Sequence, residues 1–145
     1  MLRRLVRILV VVALGAVLAT AALTSAAVAQ EPPTMTASLT GTATLVAKGA
    51  AVNVDVTYSC SPDTTSASVF VQLTQRVSGG RVATGSGFVS GLVCDGTEHT
   101  ATVTVIADGD VAFKKGDAVG RGSRTACNEF SCVEGLLSPT TIRIR

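Results

Sequence analysis

The sequence predicts an all-β domain, an antiparallel β-sandwich of about seven strands, behind an N-terminal signal peptide. Three observations predict it. Apolar and polar residues alternate with period two through most of residues 35–145. Clusters of Gly, Pro, Asp, Asn and Ser interrupt that alternation at regular intervals. No segment after residue 29 repeats with the 3.6-residue period of an amphipathic helix.

The first 29 residues account for much of the high mean hydropathy of +0.47. Arg3, Arg4 and Arg7 form a positive start, residues 8–18 are an apolar run, and Ala27-Val28-Ala29 has the small-x-small spacing that signal peptidase accepts. A retained anchor is the alternative, because residues 8–29 carry no charge and are just long enough to span a bilayer. The Ala-, Ser- and Thr-rich second half is weakly hydrophobic, which favours cleavage. In both cases the domain is exported. The remaining chain holds nine Lys+Arg against ten Asp+Glu, a formal charge of −1. It has no basic stripe of the kind nucleic acid or an anionic membrane requires, and Lys114-Lys115 reads as a solvated turn. The expected organisation is a signal peptide over residues 1–29, an extended leader over 30–34 and one β domain over 35–145.

Glu31-Pro32-Pro33 cannot join a helix and suits a mobile start. In the first strand the odd positions 35–45 are Met, Ala, Leu, Gly, Ala and Leu, and Thr dominates the even ones. Lys48-Gly49 turns the chain. Val52, Val54, Val56, Tyr58 and Cys60 then face one way and Asn53, Asp55, Thr57 and Ser59 the other, so Cys60 points into the core. After Ser61-Pro62-Asp63, Val69, Val71 and Leu73 alternate with Phe70, Gln72 and Thr74, and Ser78-Gly79-Gly80 marks a hairpin. Residues 82–94 are Gly-rich, with Phe88, Leu92 and Cys94 in phase with Val82, which reads as an irregular edge strand. Cys94-Asp95-Gly96 turns again. Ala101, Val103, Val105 and Ala107 face inward before Asp108-Gly109-Asp110. A poorer strand over 117–127, a hairpin loop over 128–131 and a return over 133–145, with Ile142 and Ile144 facing in, complete the domain. The build is immunoglobulin-like, without the Trp of antibody domains, and a closed barrel is the alternative.

Four cysteines in an exported chain imply two disulfides, for which three pairings exist. The five-residue spacing of Cys127 and Cys132 suits a bridge across a tight hairpin, leaving Cys60 with Cys94. Zinc would want a C-x-x-C knuckle, which is absent.

At Tyr58-Ser59-Cys60-Ser61-Pro62 and Val93-Cys94-Asp95-Gly96-Thr97-Glu98-His99 the chain resembles small exported actinobacterial proteins of uncharacterised families that carry C-S-P and V-C-D-G-x-x-H around a central bridge. That resemblance implies a fold and no activity. The C-x4-C hairpin from Cys127 to Cys132, followed by Val133-Glu134-Gly135, looks like the bridge of the neocarzinostatin-type apoproteins. These are secreted seven-stranded proteins that hold a chromophore in an apolar cleft. Their other bridge closes a short loop, whereas Cys60 and Cys94 stand 34 residues apart.

Candidate chemistry is sparse. His99, the sole histidine, stands near Asp95 and Glu98, but Glu98 and His99 begin a strand and face opposite sides, so they do not converge on one ion. No G-x-S-x-G nucleophile elbow is present, and Gly85-Ser86-Gly87-Phe88 is a fragment of one. Gly120-Arg121-Gly122 is too short for a phosphate loop, and Asp108-Gly109-Asp110 lacks the later ligands of a calcium loop. The sequence assigns no catalytic residue, metal or cofactor. It singles out the loop Asn128, Glu129, Phe130 and Ser131, in which a bridge would lower the ordering cost of presenting Phe130 to a partner. The expected function is a secreted, non-catalytic binding or interaction module for a protein or small apolar ligand, with no role for nucleic acid, nor for membrane after cleavage. A small-molecule carrier and a protease inhibitor are the alternatives.

Overall fold

A computed structural model describes residues 31–145; the signal peptide expected over residues 1–29 lies outside the described residues. Seven strands follow in order: β1 (Met35–Val46), β2 (Ala51–Cys60), β3 (Ser66–Arg76), β4 (Val82–Ser90), β5 (His99–Asp108), β6 (Gly116–Cys127) and β7 (Cys132–Ile144). They form where β-branched residues alternate with polar ones, because such side chains pack well on a pleated surface with one buried face. Single turns over Ala47–Gly49 and Ser78–Gly80 reverse the chain where glycine was expected to do so. Among the described residues, no helix is long and apolar enough to cross a membrane.

The strands close into a barrel in the order β1-β2-β5-β4-β3-β6-β7. Closure is the alternative the sequence left beside the antiparallel sandwich, and the pairing is not wholly antiparallel, since β1 and β7 run parallel where Thr42 meets Arg143 and Ala43 meets Ile144. The physical cause lies in β1, where Thr40, Gly41 and Thr42 stand opposite the single Asp55 before pairing with β2 resumes. The bulge bends the second half of β1 onto β7. Alternation survives because the extra residues are even in number, so Met35, Leu39 and Ala43 are all buried.

Closure also overturns the reading of residues 82–94. β4 is no edge strand, for it pairs with β3 along its length and with β5 from Thr84 to Ser86. Its buried phase is Ala83 and Gly85, whereas Val82 and Phe88 are exposed. Glycine hid that phase by supplying no apolar side chain to read. A Cβ on Gly85 would sit 2.8 Å from Cε2 of Phe113 and collide with the Ile106 carbonyl, so only glycine lets β4 lie this close to β5. The leader is not a mobile start from Pro33 onward. Pro33 is buried, and Thr34 and Ser61 exchange hydrogen bonds at 3.0 Å.

The core is built from small β-branched residues, chiefly Val52, Val54, Val56, Val69, Val71, Val103 and Val105, with Leu73, Ile142 and Ile144. Phe113 is its largest fully buried side chain and comes from the connection between β5 and β6, outside any strand. That connection is clamped by Gln75, a buried polar residue on β3. Its Nε2 donates to the Lys114 carbonyl and its Oε1 accepts from the Lys114 N–H, both at 2.8 Å. Gln75→Leu is expected to cost about 2 kcal/mol, because both Lys114 backbone groups lose their partners at once. Urea denaturation would read the loss, and a change within about 0.5 kcal/mol, the range of ordinary surface substitutions, would make the clamp dispensable.

Candidate binding site

Both disulfides join the expected partners, Cys60 with Cys94 and Cys127 with Cys132. The first ties the end of β2 to the segment before β5, which the Gly96 N–H also holds by donating to the Cys60 carbonyl at 2.9 Å. The second crosses the first pair of the β6/β7 hairpin.

The contact loop expected between those cysteines is ordered by one side chain. Asn128 Oδ1 accepts the Phe130 N–H at 3.0 Å and the Ser131 N–H at 2.9 Å. Asn128 Nδ2 donates to the Asp63 carboxylate and the Glu31 carbonyl, both at 3.3 Å, joining the loop to the β2–β3 turn and the leader. Hydrogen bonds from Ser61 and then Asn128 hold the Asp63 carboxyl below its ordinary range. Glu129 is exposed, and Phe130 at the tip is 64% exposed.

His99 is drawn into a small polar cluster at the same end of the barrel. Its Nε2 lies 2.9 Å from Asp95 Oδ1 and 3.2 Å from Thr97 Oγ1, and its ring packs at 5.7 Å, centroid to centroid, against Tyr58. The Thr97 hydroxyl and N–H donate to the same Asp95 oxygen at 2.7 and 2.9 Å. These bonds from Thr97, and then the one from His99, hold the Asp95 carboxyl far below its ordinary range. Glu98 is exposed and makes no hydrogen bond to the cluster. The Thr97 hydroxyl is engaged by both neighbours, and neither of the two cavities described here includes these residues. The arrangement fixes a turn of the Asx type. Among the described residues, no three His, Cys, Asp or Glu side chains gather as metal ligands.

The feature that sequence reading missed lies on the outer face of β3, β6 and β7. The Cα register places Phe88 of β4 beside Phe70 of β3, Phe70 beside Ser123 of β6, and Ser123 beside Leu136 of β7. All four share one face. Phe70 is 40%, Phe88 62% and Leu136 83% exposed. The small Ser123 between Phe70 and Leu136 leaves a groove of ≈ 530 Å³, which Gln72, Arg121, Ser138 and Pro139 also line.

A bulge creates this groove. Arg121 of β6 stands opposite two residues of β7, Ser138 and Pro139, between the pairs Gly120 with Thr140 and Gly122 with Leu137. The extra residue flips the phase of β7. Ile142 and Ile144 are buried on one side of the bulge, Leu137 on the other, and Leu136 is turned to solvent. Pro139 has no N–H to contribute to a ladder, so a bulge is where a strand tolerates it. Two sequence signals marked the site: an aromatic residue at 70 on the wet side of a clean alternation, and a phase break before Ile142.

A second, polar hollow of ≈ 340 Å³ lies among Thr42, Thr44, Asn53, Asp55, Thr102 and Arg145. Two of its polar groups are already engaged across strands, Asp55 accepting from Thr102 at 2.7 Å and Asn53 from Thr104 at 3.0 Å. No family model matches the chain, and no curated protein is significantly similar to it.

Proposed function

We propose that the protein is an exported, non-catalytic binding domain whose groove between Phe70 and Leu136 takes a small, flat, largely apolar ligand. The observation that carries this reading is the use made of the aromatic residues. The chain has four phenylalanines, and three of them, Phe70, Phe88 and Phe130, are exposed while a valine-rich core is filled without them. Three exposed apolar side chains, Phe88, Phe70 and Leu136, in one register row with Ser123 mark a binding surface, and the groove volume falls in the usual range for small-molecule sites. The immunoglobulin-like layering belongs to the same proposal: short seams at β4/β5 and β1/β7 leave β1-β2-β5 and β4-β3-β6-β7 as the broad faces. The C-x4-C hairpin resemblance to chromophore carriers points the same way, and two disulfides fit an extracellular protein.

At about −0.3 kcal/mol per non-hydrogen atom, a ligand of about twenty atoms would bind with about 6 kcal/mol, a Kd of tens of micromolar. Phe70→Ser would remove on the order of 50 Å² of apolar wall, about 1.3 kcal/mol at 25 cal/mol/Å², or about tenfold in affinity. The test is a fluorescence titration with the neutral probe N-phenyl-1-naphthylamine. Saturable binding that weakens about tenfold in Phe70→Ser, with unchanged unfolding, supports the reading. No binding, or binding indifferent to Phe70, removes it.

Phe130 favours a second reading, a protein partner docked at the Asn128 loop. Its presentation on a loop ordered by three hydrogen bonds to Asn128 Oδ1 is the supporting observation.

A further inference from the structure

We infer that the ligand of this groove carries an anionic group, a carboxylate or sulfonate on an otherwise flat apolar body, held by Arg121. The inference rests on the groove reading above and names the class of ligand that reading leaves open.

Arg121 of β6, opposite the bulge in β7, is part of the groove lining. Its Nε donates to Gln72 Oε1 at 2.9 Å, which orients the guanidinium from the neighbouring strand β3. The terminal nitrogens Nη1 and Nη2 have neither a hydrogen-bond nor an ion-pair partner among the described residues. Gln72 is neutral, so it positions the cation without cancelling it.

No carboxylate lines the groove. Of the acidic residues on this face, Asp117 is held by Arg143 at 2.8 Å, and Glu134 lies one row beyond Leu136, opposite Thr125. An uncompensated guanidinium with two parallel N–H donors matches the two oxygens of a carboxylate or sulfonate. Phe70, Leu136, Leu137 and Pro139 supply the apolar contact for the rest of the ligand. A ligand lying against these walls excludes water from beside Arg121, which strengthens the ionic contact. Neutral ligands of the same shape gain the walls and lose the charge, so the groove discriminates by charge as well as by shape.

The test compares two probes with one aromatic skeleton, 8-anilinonaphthalene-1-sulfonate and the uncharged N-phenyl-1-naphthylamine, titrated against the protein recovered from the medium. The wild type is expected to bind the sulfonate about tenfold more tightly, the lower end of what a hydrogen bond to a charged group contributes. Arg121→Gln is expected to bring the two probes within about twofold of each other, and Arg121→Lys to restore part of the preference. Phe70→Ser weakens both. Equal affinity in the wild type, or a preference that survives in Arg121→Gln and Arg121→Lys alike, overturns the anionic assignment while leaving the groove reading intact. Binding of neither probe, or of both without regard to Phe70, overturns the groove reading and the inference with it.

Discussion

Replacing Phe113 by alanine is expected to lower the free energy of unfolding by about 3–5 kcal/mol, the usual range for a fully buried aromatic residue. Phe113 is fully buried, its N–H donates to the Gly49 carbonyl at 2.9 Å, and the glycine at 85 gives its ring room against β4. Neighbouring groups cannot move in to fill the cavity. The connection that carries Phe113 is pinned by Gln75, and the surrounding strands are locked in a closed ladder. A loss of this size is a large share of the roughly 5–15 kcal/mol that stabilises a domain. Phe113→Leu, which keeps most of the volume, is expected to cost about 1.5 kcal/mol or less. Urea or thermal unfolding separates the two. An alanine variant within about 1 kcal/mol of wild type, the average cost of any point substitution, would show that Phe113 does not close the core.

The two disulfides are expected to differ in weight. Replacing Cys60 and Cys94 by alanine should cost about 4 kcal/mol, and replacing Cys127 and Cys132 about 2 kcal/mol, because the loop closed in the unfolded chain is far longer for the first pair. Their sequence separations are 34 and 5. Cys60 is also buried, so its loss removes core contacts, whereas Cys132 is exposed. Removing the hairpin bridge should act locally, loosening Asn128 and Phe130 while the barrel stays folded. Unfolding of both double variants measures the difference, and equal or reversed costs would contradict the chain-entropy account.

Most strands were legible from sequence because the alternation that writes a strand depends only on which side faces the core. Val52 to Cys60 and Val69 to Leu73 are buried in the phase expected of them. Closure was not legible, since an open pair of sheets and a closed barrel bury the same alternate residues. What decides between them is the β1 bulge, written only as Thr40-Gly41-Thr42. The phase of β4 was misread because its inward positions at 85 and 87 are glycines. Phe113 and Gln75 escaped for opposite reasons, one being apolar outside any periodic segment and the other polar at a core position. Arg124 is a third case. Its charge argues for solvent, yet it lies half-buried with Nε donating to the Met35 carbonyl at 2.7 Å and Nη1 to the Leu136 carbonyl at 3.2 Å.

The groove was the least legible feature, because it depends on a phase flip rather than on a motif. Phe70 and Leu136 are separated by 66 positions and meet only because Ser123 stands between them in register. The loop that the sequence did single out, from Asn128 to Ser131, occupies the end of the same β6/β7 hairpin. A bridge that stiffens the hairpin therefore also steadies one wall of the groove.

The most direct measurement is an amide chemical-shift titration of the protein with N-phenyl-1-naphthylamine. The account predicts shifts concentrated at Phe70, Gly122, Ser123, Leu136 and Leu137, with the Thr-rich face of β1, β2 and β5 unmoved. Shifts spread over that opposite face, or none at any probe concentration, would contradict it.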